Sequence, residues 1–279
     1  MKAPAFAYVK PGSLGEVFDL IERHGEGAKL LAGGQSLIPS LNMRLSSPEL
    51  LIDITGILAL AGIRVEGSVV RIGALATHAE IGRSSEIAMH VPLLAKAVPH
   101  IAHAAIRNRG TLGGSLAFAD PAAEYPACAL ALDATLVVAG KAGERRVRAA
   151  DFFKSLYETD LKRGEVLVAA EFPAAGPDER SAFVELARRQ GDYAIIGLAA
   201  RARNSDLRLA FLGAGAKPIL AKNAAAAAKE SVAAAQAALA KDLDPPADLY
   251  HSSATKLHLA RVLLGRALAD LWNTKSIPR

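Results

Sequence analysis

Residues 30–40 read LLAGGQSLIPS and residues 106–121 read IRNRGTLGGSLAFADP. Each stretch sets two adjacent glycines beside small hydroxyl residues: Gly33-Gly34 with Ser36, and Gly113-Gly114 with Thr111 and Ser115. Glycine turns through positive φ and lets a ligand approach the main chain closely. Successive N–H groups in such a turn form a concave anion site, and a helix beginning near Ser36 adds the positive end of its dipole. A single Gly-Gly pair is more often just a turn. Two such loops from distant segments are suited to clamp a dinucleotide pyrophosphate from both sides. Neither fits the usual nucleotide motifs. The chain has no G-x-x-x-x-G-K-[ST], and Gly213-Ala214-Gly215 lacks the third glycine of G-x-G-x-x-G. A dinucleotide held here needs another fold.

Upstream of the first loop, Ser13 and Glu16 have capping-box spacing, and Leu14, Val17, Phe18 and Ile21 follow a helical period. Gly25 and Gly27 stop that helix. With strands over 29–32 and 50–54, this predicts a small parallel β-α-β unit. The middle section reads as strands at 63–65 and 69–72, a helix capped by Thr77, and a helix over 92–102 bent at Pro99. A helix over 122–132 and strands at 135–139 and 165–172 follow. PAAGP at 173–177 is the linker candidate. Beyond it, 182–188 and 207–212 look like strands, 194–203 fits either state, and 221–240 and 248–271 read as helices. The expected organisation is α+β: residues 1–173 in two subdomains (about 1–55 and 56–173), then 178–279 with antiparallel strands and helices.

Composition narrows the function. The 279 residues suffice for two or three packed subdomains. The net charge of +5 comes from scattered Lys and Arg with no aromatic interleaving, which argues against nucleic-acid binding. One cysteine, Cys128, excludes a disulfide scaffold and an all-cysteine cluster within the chain, and reads as a core thiol. The seven histidines show no ligand spacing, so no metal site is expected. Arg107 and Arg109 read as a solvated pair at a helix end. The start, MKAPAFAYVKPGSLGE, carries no signal-like run, and no stretch approaches the roughly 20 apolar residues of a membrane helix. The expected location is cytoplasmic, reaching the inner face of the membrane only through partners.

Four segments resemble the FAD-binding subunits of molybdenum hydroxylases, the carbon monoxide dehydrogenase and xanthine dehydrogenase family. They are LLAGGQSLIPSLNMRLSSPELLIDI (30–54), IRNRGTLGGSLAFADPAAEYPACALALDA (106–134), ARRQGDYAIIGLAA (187–200) and DLYHSSATKLHLARVLLGRAL (248–268). They run in the family's order over nearly the whole chain. The resemblance implies the flavin-binding fold of the vanillyl-alcohol oxidase type, with FAD between two N-terminal subdomains. By it, Ala32, Gly33, Gly34, Gln35, Ser36 and Leu37 would meet the cofactor with Thr111, Leu112, Gly113, Gly114 and Ser115. Glu124 falls where the family has a carboxylate near the cofactor. Asp120 is the competing carboxylate, equally readable as an N-cap for the following helix. Leu167 would bring a strand backbone near the flavin ring, and Tyr193 would lie close to it; no residue is assigned a catalytic role.

The implied function is electron transfer from [2Fe–2S] clusters of a small partner subunit, through FAD, to NAD or a quinone. A large partner would hold the molybdenum cofactor, in a dimer of heterotrimers. Two departures stand out. Gln35 replaces the histidine or threonine of some relatives, and Glu185 lies where relatives often carry lysine, removing a cation from beside reduced flavin. An autonomous flavin-dependent oxidase or reductase, and a flavin-free scaffold subunit, are the alternative readings.

Overall fold

The computed structural model of the chain describes residues 2–272. The N-terminal unit is a three-stranded parallel sheet. Leu50–Asp53 lies in the middle, with Ala7–Val9 on one side and Ala28–Leu31 on the other. All four residues of the central strand are buried, as expected of a strand covered on both faces. Helix Leu14–His24 makes the crossover. Ser13 caps it by accepting from the Glu16 N–H, and Gly25 ends it at φ 55°. Glycine takes that left-handed conformation without penalty.

A five-stranded antiparallel sheet follows, ordered Ile63–Glu66, Val69–Gly73, Val166–Pro173, Thr135–Gly140 and Gly143–Arg148. Six short helices lie between its second and fourth strands in the chain, among them Leu112–Phe118 and Glu124–Ala131. One side of this sheet, through Val137, Val166, Val168 and Ala169, shares a core with Val17, Leu50 and Ile52 of the parallel unit. The C-terminal unit is a four-stranded antiparallel sheet, Glu179–Leu186, Ile196–Arg203, Asp206–Leu212 and Ile219–Leu220, backed by helix Ser253–Trp272. The ambiguous 194–203 run is therefore strand.

Several helices are shorter than their sequence period suggests. The helix expected over 92–102 runs only Pro92–Ala97 before a 3₁₀ turn, Val98–His100, because Pro99 has no N–H to continue the ladder. The alanine-rich 221–240 stretch is two helices, Lys222–Ala227 and Val232–Ala238. Ser231 separates them by capping the second through the Ala234 N–H. The last helix starts at Ser253 rather than Asp248. The Asp248 carboxylate accepts from the Tyr250 and His251 N–H groups and pairs with the buried Lys256 at 2.7 Å, which fixes a turn instead.

Candidate cofactor site

The two glycine loops meet backbone to backbone. A Cβ on Gly33 would lie 2.2 Å from the Arg109 carbonyl oxygen and 2.7 Å from the Gly110 Cα, so only glycine permits this approach. Gly34 takes φ 74°. The Gln35 side-chain amide donates back to the Gly33 carbonyl at 3.0 Å and shapes the turn. Among the described residues, no acceptor meets the main-chain N–H groups of Gly33 through Leu37. They form a row of open donors just before helix Leu37–Asn42. Ser36 stands at its N-cap position but its hydroxyl makes no capping bond, so it too is free to donate.

The second loop is built differently from the first. Its amides are already used: Leu112 N donates to Ala76 O, Gly113 N to Ala74 O, Gly114 N to the Thr111 hydroxyl and Ser115 N to Thr111 O. Thr111 thus acts as the N-cap of helix Leu112–Phe118. A Cβ on Gly113 would lie 2.4 Å from that of Ala74. Ala74 in turn donates to the Val168 carbonyl, where the strand bulges between Leu167 and Ala169. A β-bulge beside a site re-aims the strand. What this loop offers is a surface without side chains at the exposed Gly114, and the half-buried Ser115.

Between the loops lies a cavity of about 640 Å³, within the range of small-molecule and cofactor sites. Its wall contains Ala32, Gly33, Gly34, Gln35, Ser36, Leu37, Thr111, Gly113, Gly114, Ser115, Asp120, Glu124, Leu167 and Tyr193. Leu112 does not reach it; its side chain is buried in the core under the helix. Asp120 is not a helix N-cap. Its carboxylate accepts from the Ala122 N–H two residues on, and the helix begins later, at Glu124 with Ala123 as its cap residue. Tyr193 is exposed at the cavity wall, as is Phe118, whose ring packs at a 45° tilt against Tyr157 with centroids 4.9 Å apart.

Sequence reading missed other wall residues, including Ala74, His78, Phe118 and Glu165. The capping box of Thr77 with Glu80 was a legible signal for the helix His78–Arg83. That Thr77 bridges to Thr111, bringing His78 beside Gly110, belongs to tertiary structure alone. Arg107 is no solvated arginine: it donates to the Ile101 and Ala102 carbonyls as a strut under the site.

Charges at the back of the cavity are muted. Burial, reinforced by the nearby Asp120, raises the Glu124 carboxyl to about 7. Burial and the proximity of Glu124 raise Glu185 to about 8. Burial, with Arg107 nearby, lowers His78 to about 4 and keeps it neutral. Burial likewise raises the Cys128 thiol, an inert group in the core. Among the described residues, no group of three His, Cys, Asp or Glu is placed to hold a metal ion.

Comparison with known proteins agrees with this geometry. Residues 4–175 match the model described as the FAD binding domain in molybdopterin dehydrogenase, and residues 181–271 match the CO dehydrogenase flavoprotein C-terminal domain. The chain belongs to this family. The 6-hydroxypseudooxynicotine dehydrogenase complex subunit alpha of Paenarthrobacter nicotinovorans is 38% identical, over 96% of this chain and 95% of that one. The solved carbon monoxide dehydrogenase of Hydrogenophaga pseudoflava superposes with a TM-score of 0.95 at 38% identity, covering 98% of this chain and 99% of that one. Quinoline 2-oxidoreductase of Pseudomonas putida 86 gives a TM-score of 0.91 at 37% identity, covering 97% and 98%. The family's cofactor is FAD, and the residues present fit it. An open row of amides suits a pyrophosphate, glycine-only contacts clear its path, and the mostly apolar wall accepts a planar ring.

Proposed function

We propose that the cavity holds FAD with its pyrophosphate on the Gly33–Leu37 amides and that the chain relays electrons within a multi-subunit dehydrogenase. The observation that carries this is the asymmetry of the two loops. The first presents unpaired donors, and the second is a closed helix cap whose bare Gly114 lets a ligand lie against it. Bound FAD supplies the redox chemistry, taking electrons in and passing them on. The chain's own residues bind, orient and shield. The Ser36 and Ser115 hydroxyls add donors beside the phosphates, Glu124 and Asp120 accept from cofactor hydroxyls, and the bulged strand at Leu167 supports the ring. The exposed Tyr193 limits access to one face.

Relatives named as medium chains and complex subunits support the same division of labour here. A small [2Fe–2S] chain would feed electrons in, and a large chain would carry the molybdenum cofactor and choose the substrate. NAD or a quinone would take the electrons out, the whole forming a dimer of heterotrimers in the cytoplasm. Among the described residues, no helix is long and apolar enough to cross a membrane.

Titrating the purified chain with FAD, and separately with riboflavin, tests the core of this reading. Saturable FAD binding, with riboflavin weaker by at least tenfold because it lacks the pyrophosphate, is the expected result. Equal binding of the two would remove the phosphate role of residues 33–37. Failure of FAD to bind, even with partner chains present, would leave a scaffold.

A further inference from the structure

Strand Glu179–Leu186 presents two faces. Ala182, Val184 and Leu186 turn toward the core of the C-terminal helices. Phe183 turns the other way, into the core shared with Tyr125 and Cys128 of helix Glu124–Ala131. Glu185, two residues after Phe183, shares its side, since side chains alternate along a strand. There its Oε2 is buried with no hydrogen-bond partner among the described residues. Glu185 pairs in register with Gly197 of strand Ile196–Arg203, and helix Glu124–Ala131 packs against that neighbouring strand. Glu124 opens this helix, is only 9% exposed, and forms part of the cavity wall. Glu124 acts electrostatically on Glu185, and both act on Cys128 of the helix. A buried, unpaired carboxylate is costly to ionise, and two close ones cannot both ionise cheaply.

We propose that Glu124 and Glu185 act as one carboxyl pair that takes up a proton behind the cavity when the bound flavin is reduced. This rests on the FAD reading above. Two electrons from a reduced iron–sulfur donor, or from dithionite in a test, reduce the ring, which itself gains one proton and one negative charge. That charge favours protonation of the pair. One carboxylate gains an O–H bond, the proton comes from solvent, and no protein group is oxidised. A fixed cation at position 185 would balance the same charge without titrating.

The surrounding groups are committed or neutral. Lys96, on the helix packed against this strand, donates to the Ser181 carbonyl. His100, against the Phe183 ring, is shifted toward its neutral form by burial. Asp120 on the cavity wall adds negative charge. Tyr125 and Cys128 on the helix are neutral, held so by burial. Tyr193, from the cavity wall, feels both Asp120 and Glu124 and also stays neutral. His78 is neutral, and Arg107 is committed to the Ile101 and Ala102 carbonyls.

The test is spectroelectrochemical titration of the FAD-loaded full chain between about pH 5.5 and 9, for wild type and Glu185→Gln. The wild-type midpoint potential should fall more steeply with pH near neutrality. The expected excess is up to tenfold in the reduction equilibrium per pH unit, about 30 mV for two electrons. Equal slopes overturn the proposal. Infrared spectra of the flavin-free chain give an independent readout: a protonated-carboxyl band at neutral pH that Glu185→Gln weakens. A missing band overturns the pair itself. A band in a chain that takes no FAD overturns the coupling together with the FAD reading, while leaving a protonated pair in place.

Discussion

Gly33 and Gly114 do different work, though both sit in Gly-Gly pairs. A methyl on Gly33 strikes the backbone at Arg109, which cannot yield. Gly33→Ala should cost about 1–3 kcal/mol of stability through overpacking and weaken FAD binding as the loops part. A methyl on Gly114 meets only the Thr111 hydroxyl at 2.9 Å and otherwise enters the cavity. Gly114→Ala should leave the melting temperature of the flavin-free chain within a few degrees while still weakening FAD binding. Paired melting curves and flavin titrations separate the two; equal losses of stability would contradict the assignment. His78, packed edge-on against Tyr125 at 5.2 Å, sets a pH dependence. Its folded pKa of about 4 lies below the ordinary value, so the unfolded chain binds more protons between the two. Stability from this residue is complete above about pH 6.5 and is lost as pH falls toward 4, by roughly 2–3 kcal/mol. His78→Phe should flatten the acid limb of a denaturation series. Glu124 acts with the opposite sign. Its raised folded pKa makes its contribution complete in acid and lost as pH rises through about 7.

At the scale of elements, caps and prolines decided where helices stop, more than apolar period did. Ser231 interrupts a run of alanines that favours helix throughout, because its hydroxyl satisfies the Ala234 N–H in an extended conformation. Ser231→Ala should cost about 1 kcal/mol as a lost cap. It should leave FAD affinity unchanged, since residue 231 lies outside the cavity wall. A chevron or urea midpoint measurement reads the first and a flavin titration the second. The capped helices at Leu14 and His78 were legible because Ser13 with Glu16 and Thr77 with Glu80 stand at fixed spacing in one short stretch. Of the two readings open for Asp120, the cap fails: an aspartate two residues before a helical pattern reads as a cap, whereas here it closes a turn onto Ala122 and lines the cavity.

The whole molecule is stitched by cores that cross the sequence divisions. Phe183, Ala199, Ala210 and Leu212 of the C-terminal sheet share a core with Leu94, Tyr125 and Cys128. Phe183→Ala should therefore cost about 3 kcal/mol and lower the unfolding of the entire chain. The full chain should melt in one calorimetric transition; two separated transitions would show that the shared core is energetically weak. What the sequence determined by itself was local chemistry: the glycine pairs, the capping boxes, the parallel opening unit, the absence of a cysteine framework, and the family that its four segments resemble. These signals live within a few residues of one another, so propensity and spacing carry them. Tertiary structure alone decided that Gly33 rests on Arg109, that the second loop spends its amides on Ala74, Ala76 and Thr111, and that Phe183 enters the core of Tyr125 and Cys128. Each of these joins residues far apart in the chain, and their meeting is fixed by strand register and core packing that no short stretch encodes.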